Sequence, residues 1–186
     1  MQLIAILLAL AIQISAPPTI VAIGDSMTAG YGVQRDSSYP AQLQKELGKR
    51  GYGYRVVNQG VTGSTSLQAF SRLNRALAAQ PEIVIIQLGG NDAAQGISRE
   101  VSRETLRKMI ARFKSGGARI YFAGGRFPHL DEMAREESIP VIPFLDGVVG
   151  HDELLLTDGV HPNSDGYAIV VRNILNIIGP DLRRAF

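Results

Sequence analysis

The sequence contains no cysteine among its 186 residues. This absence excludes disulfide bonds, catalytic thiolates, zinc sites built from cysteine and a lipid anchor attached to an N-terminal cysteine. The absence of cysteine does not distinguish an oxidising from a reducing compartment, because a chain without thiols is compatible with both. The sequence also has no cluster of histidine and carboxylate residues at metal-ligand spacing, so it predicts neither a metal site nor a cofactor.

Charged residues are few, at 19% of the chain, and 19 Lys and Arg residues nearly balance 17 Asp and Glu residues. The basic residues are scattered rather than gathered in one block, so the formal net charge of +2 gives no support for a nucleic-acid partner. We find no linker, internal repeat or low-complexity stretch. With 45% apolar residues the chain can bury a sizeable core, and we expect one domain over residues 19–186.

The longest apolar stretch lies at the N-terminus. Residues 3–14 are nearly all apolar, which is too short to cross a bilayer comfortably but long enough for the core of a signal peptide. No Lys or Arg precedes this stretch, and two prolines stand where cleavage would fall. We expect residues 1–18 to be a signal peptide and the protein to be periplasmic or secreted. The alternative is an uncleaved hydrophobic segment that packs on the domain or tethers it to a membrane, and we expect no stable membrane span beyond this segment.

Beyond Pro18, short β-rich runs alternate with helical patterns, which is typical of a parallel sheet covered by helices on both faces. The predicted strands are residues 19–23, 54–58, 83–88, 119–122 and 141–144. The predicted helices are residues 40–50, 65–79, 99–115, a short helix after Pro128, and residues 164–178. In the second helix one apolar face is formed by Leu67, Phe70, Leu73 and Leu77. The pattern therefore predicts an α/β fold with a five-stranded parallel sheet.

A serine follows the first predicted strand, and an acid precedes a histidine by three residues near the end of the chain. A serine hydroxyl is a weak nucleophile until a base takes its proton. We therefore interpret Ser26 as the nucleophile, His161 as its general base and Asp158 as the residue that orients His161. Pro162 favours an extended backbone at His161, which helps to fix the direction of the ring. Ligands of open parallel sheets bind outside the carboxyl ends of the strands, where we expect these residues to converge.

Acyl transfer also needs hydrogen-bond donors for the oxyanion of its tetrahedral intermediate. The sequence offers the backbone N–H groups of Ser26 and Gly60 and the side-chain amide of Asn91, each shortly after a predicted strand. Ordinary turn chemistry could explain each glycine cluster by itself, but their joint placement favours an active site. We interpret the neighbouring acids Asp25 and Asp92 as residues that hold their own turns.

With these residues in place, the chain resembles the SGNH (GDSL-type) hydrolases, which are named for the serine, glycine, asparagine and histidine of four separated blocks. The blocks occur in order as residues 24–32 (GDSMTAGYG), 58–63 (NQGVTG), 89–92 (GGND) and 158–163 (DGVHPN). The resemblance runs from residue 19 to about residue 178. It implies a flavodoxin-like three-layer α/β/α sandwich and metal-free hydrolysis of carboxylic esters or thioesters by a Ser-His-Asp triad through an acyl-enzyme. The third block looks most like the small bacterial exported thioesterase, lysophospholipase and arylesterase branch.

Two departures from the family pattern bear on the substrate. Met27 stands where the family name has leucine, an apolar exchange of similar volume that should cost little. The connection between residues 122 and 141 is shorter than is usual in that branch, where it helps to wall the acyl pocket. We therefore expect a shallow, open site that favours short acyl groups of a small-molecule or lipid ester. Arg126 and Phe127 lie in this connection and could contact substrate, but surface placement is the favoured interpretation of each.

Two other functions stay open at this point. A carbohydrate acetylesterase that acts on envelope polysaccharide would use the same fold and the same catalytic residues. A non-catalytic flavodoxin-like module would instead hold a phosphate or flavin in residues 24–32. That module is disfavoured because the sequence has neither a Walker lysine nor a Gly-x-Gly-x-x-Gly run.

Overall fold

The computed structural model describes residues 16–184. The predicted signal peptide, residues 1–18, therefore lies outside the described residues except for its last three positions. None of the helices between residues 16 and 184 combines the length and the apolar character that a membrane span requires.

Five strands form one parallel sheet with the order β2-β1-β3-β4-β5. Their bounds are Thr19–Gly24 (β1), Arg55–Gly60 (β2), Ile83–Gln87 (β3), Arg119–Gly124 (β4) and Val141–Pro143 (β5). The central strands β1 and β3 are covered on both faces, which explains why both are continuous apolar runs rather than alternating ones. The predicted sheet is confirmed, and every strand end lies within two residues of its predicted position.

The helices form a layer on each face of the sheet, as the flavodoxin-like prediction requires. Their bounds are Ser26–Ala29 (α1), Tyr39–Lys49 (α2), Ser66–Ser71 (α3), Leu73–Leu77 (α4), Arg99–Ser115 (α5), Pro128–Glu136 (α6) and Ser164–Ile178 (α7). One core lies between the sheet and α2 and α7, where Leu43 and Ile174 meet Ile20 of β1. The other core lies under α3 to α6, where Leu106 packs with Val21 of β1. Successive side chains of β1 thus pack into the two cores on opposite faces of the sheet, because side chains alternate between the two faces of a strand.

The helix predicted over residues 65–79 is wrong as a single element. The structure has two helices, α3 and α4, which are separated at Arg72. Their buried positions include Ala69, Leu73 and Ala76, whereas Leu67 is 45% exposed. Apolar spacing alone did not distinguish these faces, because leucine at position 67 fits the same period as the residues that are buried.

A cluster of polar groups ties the C-terminal tail to the amino ends of the strands. Glu82 accepts hydrogen bonds from the Tyr54 hydroxyl at 2.7 Å and from Arg119 at 2.8 Å, and it also pairs with Arg183. Burial tends to raise the pKa of the Glu82 carboxyl, but hydrogen bonds from Arg183 and Tyr54 outweigh burial and leave this pKa below its usual value. The carboxylate is therefore favoured in the folded state.

Replacing Glu82 by glutamine should lower the free energy of unfolding by about 2 kcal/mol at pH 7, because a neutral amide binds the two arginines more weakly. The folded-state pKa is lowered, so this stabilisation is present above the usual value of 4.5 and is lost as the pH falls through the folded-state value. Urea unfolding at pH 7 and pH 3 should show a difference between parent and variant that shrinks in acid. Glu46→Gln, which removes an exposed pair with Arg50, is the control and should cost less than about 1 kcal/mol. A difference of equal size at both pH values would contradict an ionic origin.

Candidate active site

The predicted nucleophile lies in a tight turn between β1 and α1. Ser26 is the first residue of α1, and the Asp25 carboxylate caps this helix by accepting the Met27 N–H at 3.0 Å. Gly60, at the end of β2, packs directly against the same turn, because a Cβ at this position would lie 2.6 Å from the Thr28 carbonyl carbon. Glycine at position 60 therefore allows the end of β2 to approach the turn that carries Ser26.

A chain of hydrogen bonds links Ser26, His161 and Asp158. Nε2 of His161 lies 2.8 Å from Oγ of Ser26, and Nδ1 of His161 lies 2.7 Å from Oδ2 of Asp158. The first of these contacts joins residues 135 positions apart in the sequence. The structure thus brings all three predicted residues into hydrogen-bonding succession.

The hydrogen bonds around Asp158 determine which nitrogen of the His161 ring carries the proton. Oδ1 of Asp158 accepts the backbone N–H groups of His161 at 3.0 Å and Val160 at 2.9 Å. These two bonds, together with the side chain of His161, lower the pKa of Asp158 to about 2. An ionised carboxylate only accepts hydrogen bonds, so Nδ1 of a neutral His161 carries the proton. The lone pair of Nε2 then faces the hydroxyl of Ser26, which is the arrangement that a general base needs.

The loop that carries His161 is held from both sides. Leu156 donates its N–H to the carbonyl of His161 at 2.8 Å, and Asn163 caps α7 by accepting two N–H groups of its first turn. The Tyr31 ring lies beside the imidazole, with 4.8 Å between ring centroids. Sequence reasoning missed this contact, because Tyr31 lies in the nucleophile block and nothing in its spacing points to residue 161.

A further hydrogen bond joins α7 to the turn that carries Ser26. The buried Tyr167 hydroxyl donates to the carbonyl of Met27 at 2.9 Å. The apolar periodicity that predicts the helix over residues 164–178 gives no sign of this hydrogen bond. Its hydroxyl adds a fixed connection between the helix that follows the histidine loop and the turn that carries the serine.

Among the predicted oxyanion donors, the Asn91 amide and the Gly60 N–H each donate to a different hydrogen-bond acceptor in this structure. The Asn91 side-chain amide donates to the Ser64 carbonyl at 3.1 Å and lies 3.4 Å from Oδ2 of Asp25. The Gly60 N–H donates to the side chain of Asn58 at 2.8 Å. Asn91 and Ser26 line one cavity, whereas Gly60 does not line it. The Asn91 contact to Asp25 is the longest, and therefore the weakest, of these three hydrogen bonds.

Asp25 and Asp92 play different parts. Asp25 is buried, burial raises its pKa, and its carboxylate caps α1, which agrees with its interpretation as a residue of its own turn. The same interpretation is wrong for Asp92, whose carboxylate accepts the Ser66 N–H at 2.8 Å and the hydroxyl of Ser102. Asp92 therefore fastens the loop that carries Asn91 to α3 and α5.

A cavity of about 150 Å³ opens beside Ser26, Asn91 and His161. Its apolar wall comes from Leu88, Phe122, Phe144, Leu145 and Val160. Because these residues lie in or directly after β3, β4 and β5 or next to His161, the cavity extends from Ser26 toward the β5 side of the sheet.

Arg126 and Phe127 also line this cavity, so both border the candidate site, although Arg126 is exposed, as its surface interpretation requires, and Phe127 is half-buried. The cause is the path of the loop after β4. The Asp131 carboxylate accepts the Gly125 N–H with both oxygens, at 2.9 and 3.1 Å, and so fastens this loop to α6. Within residues 16–184, no group of three or more His, Asp or Glu side chains is placed to hold a metal ion.

Comparison with known proteins gives the site a family context. The model of the GDSL-like Lipase/Acylhydrolase family matches residues 22–169. Esterase TesA of Pseudomonas aeruginosa is 31% identical over 188 residues, which cover 93% of this chain and 94% of that protein. Thioesterase 1/protease 1/lysophospholipase L1 of Escherichia coli is 28% identical over 179 residues, which cover 88% of this chain and 85% of that protein. A crystal structure of TesA superposes with a TM-score of 0.81 at 30% identity, covering 87% of this chain and 98% of that chain.

Proposed function

Because this chain belongs to the GDSL-like lipase/acylhydrolase family, we propose that it hydrolyses carboxylic esters or thioesters through Ser26, His161 and Asp158. Membership of this family makes the protein a hydrolase of esterase type. The observation that carries the catalytic assignment is the unbroken hydrogen-bond chain from Oγ of Ser26 through His161 to Asp158. We place this activity in a single catalytic domain, residues 19–186.

The chemistry proceeds in two acyl-transfer steps. Oγ of Ser26 attacks the carbonyl carbon of the ester while Nε2 of His161 takes its proton, and the carboxylate of Asp158 stabilises the imidazolium that forms. The imidazolium then gives this proton to the departing alcohol or thiol, which leaves an acyl-serine. Water, deprotonated by His161, attacks the acyl-serine and releases the acid, and the proton returns to Ser26.

The negative charge on the carbonyl oxygen needs donors on the side of the cavity away from His161. We assign this role to the Ser26 N–H, the Asn91 amide and the Gly60 N–H. Asn91 is prepared for it, because the Ser64 carbonyl holds one amide hydrogen while the other has only the 3.4 Å contact with Asp25. The Gly60 N–H must share or release the oxygen of Asn58 to take part. A preorganised donor is worth about 10²–10³ in turnover.

The size of the cavity favours short acyl groups. The cavity of about 150 Å³, which has both polar and apolar lining residues, matches in size an engineered cavity that holds one benzene molecule, so it has room for roughly six carbon atoms. We expect kcat/KM on p-nitrophenyl esters to be highest for acetyl to hexanoyl groups and to fall by at least about tenfold for palmitoyl, whose chain must extend beyond the cavity into solvent. Initial rates below the micelle concentration of each ester measure this dependence. Activity that rises steadily from acetyl to palmitoyl would overturn the short-acyl proposal and leave the esterase proposal intact.

A second assay distinguishes the carbohydrate acetylesterase alternative from hydrolysis of small esters. Acetate release from acetylated xylan is measured beside p-nitrophenyl acetate, with deacetylated xylan as the blank. A polymer rate well above the p-nitrophenyl rate at equal acetyl concentration would assign the protein to acetylated polysaccharide instead of small esters.

A further inference from the structure

A single arginine faces the cavity next to the nucleophile. Among the described residues that line this cavity, Arg126 is the only lysine or arginine. Within residues 16–184 its guanidinium makes no hydrogen bond with another side chain and no ion pair. The carbon of the guanidinium lies 5.9 Å from the centre of the Phe127 ring, which also lines the cavity and gives the cation an aromatic neighbour.

The two acids that line the cavity are already engaged by other donors. Both oxygens of Asp131 accept the Gly125 N–H, and Oδ1 of Asp25 accepts the Met27 N–H. Oδ2 of Asp25 faces the Asn91 amide. Burial raises the pKa of Asp25, and the positive charge of Arg126 is the smallest of the opposing effects, after the hydrogen bonds from Met27 and Gln87 and the charge of His161. The donors of the guanidinium remain available to a ligand.

We propose that Arg126 is a specificity-determining residue that favours esters carrying an anionic oxygen group, a carboxylate or a phosphate, on a short linker from the scissile bond. This inference rests on the proposed esterase function. Arginine suits the task, because its planar guanidinium binds a carboxylate or a phosphate through two parallel N–H bonds. The linker is short because the nucleophile and the cation border the same cavity of about 150 Å³.

Two matched pairs of substrates test the proposal and distinguish the source of the anion. Mono-p-nitrophenyl glutarate is compared with p-nitrophenyl butyrate, so that a carboxylate is added to the acyl group. Butyryl glycerol 3-phosphate is compared with monobutyryl glycerol, so that a phosphate is added to the alcohol. The variants are Arg126→Gln, Arg126→Lys and the control Arg75→Gln, which removes the same charge from an exposed position on α4.

In at least one pair, Arg126→Gln should lower kcat/KM for the anionic ester by about tenfold, chiefly through KM, the size expected of a charge-assisted hydrogen bond. The neutral ester should stay within about twofold. Arg126→Lys should retain part of the preference, and Arg75→Gln should retain all of it. Adding 0.5 M NaCl should weaken the preference of the parent, because salt screens a partly exposed charge.

Each outcome of these assays leads to a different conclusion about Arg126. A loss confined to the glutarate ester places the anion on the acyl side, and a loss confined to the glycerophosphate ester places it on the alcohol side. An unchanged ratio of anionic to neutral kcat/KM, or an equal loss for both, overturns the role of Arg126 while Ser26-dependent hydrolysis continues. Hydrolysis that survives in Ser26→Ala at the parental rate overturns the proposed function and this inference with it.

Discussion

Ser26→Ala should lower kcat for p-nitrophenyl butyrate by about 10⁴–10⁶, the range seen when a serine nucleophile is removed. The reason is local, because Oγ of Ser26 is the atom that Nε2 of His161 faces at 2.8 Å. Alanine leaves the base without an alcohol to activate. The cap of α1 is made by Asp25 and Met27, so this substitution leaves the turn itself intact.

Covalent labelling gives this prediction a readout that does not depend on turnover. A p-nitrophenyl alkylphosphonate should add one phosphonyl group to the parent, on the peptide that contains residue 26, and none to Ser26→Ala. Ser115→Ala, at an exposed position at the end of α5, is the matched control and should label and turn over like the parent. Adding His161→Ala to Ser26→Ala should cause little further loss, because the two residues act as a unit. Labelling at another residue, with activity retained in Ser26→Ala, would refute the assignment.

Most of the fold follows from patterns within single segments. The apolar runs of β1 and β3 and the periodicity of α5 and α7 determine those elements, because each buries a face that its own sequence defines. The break at Arg72 does not follow from such a pattern. It depends on how α3 and α4 fit against the rest of one core, and periodicity carries no information about that fit.

The convergence of the candidate site residues could be predicted from the sequence, but the lining of the cavity could not. Ser26, Asn91 and the histidine loop follow the carboxyl ends of strands, so topology alone brings them to one edge of the sheet. The loop that carries Arg126 is fastened by Asp131, which accepts the Gly125 N–H, a contact between a side chain and the backbone six residues earlier. Interactions of this kind depend on the path of a loop and leave no repeating signal in the sequence.

The orientation of Asp158 makes the consequence of an amide at this position specific. Its Oδ1 accepts two backbone N–H groups, from Val160 and His161, and its Oδ2 accepts Nδ1–H of His161. In Asp158→Asn the side-chain amide oxygen must face the backbone N–H groups of Val160 and His161. If the amide NH₂ group faced them instead, these two N–H groups would have no acceptor. The NH₂ group is then directed at Nδ1 of His161 and donates to it.

Asp158→Asn should therefore move the imidazole proton to Nε2, where it points at Ser26 and prevents His161 from acting as the base. We expect kcat to fall by about 10⁴, a loss no larger than that of Ser26→Ala, since nucleophile and oxyanion donors remain. Nitrogen-15 NMR of labelled histidine should show Nδ1 protonated in the parent and Nε2 protonated in the variant. Asp165→Asn, an exposed acid in the first turn of α7, is the control and should leave both the activity and the tautomer unchanged. If Asp158→Asn kept activity within tenfold of the parent, the carboxylate would not be orienting His161, and the proton would have to be held on Nδ1 by another group.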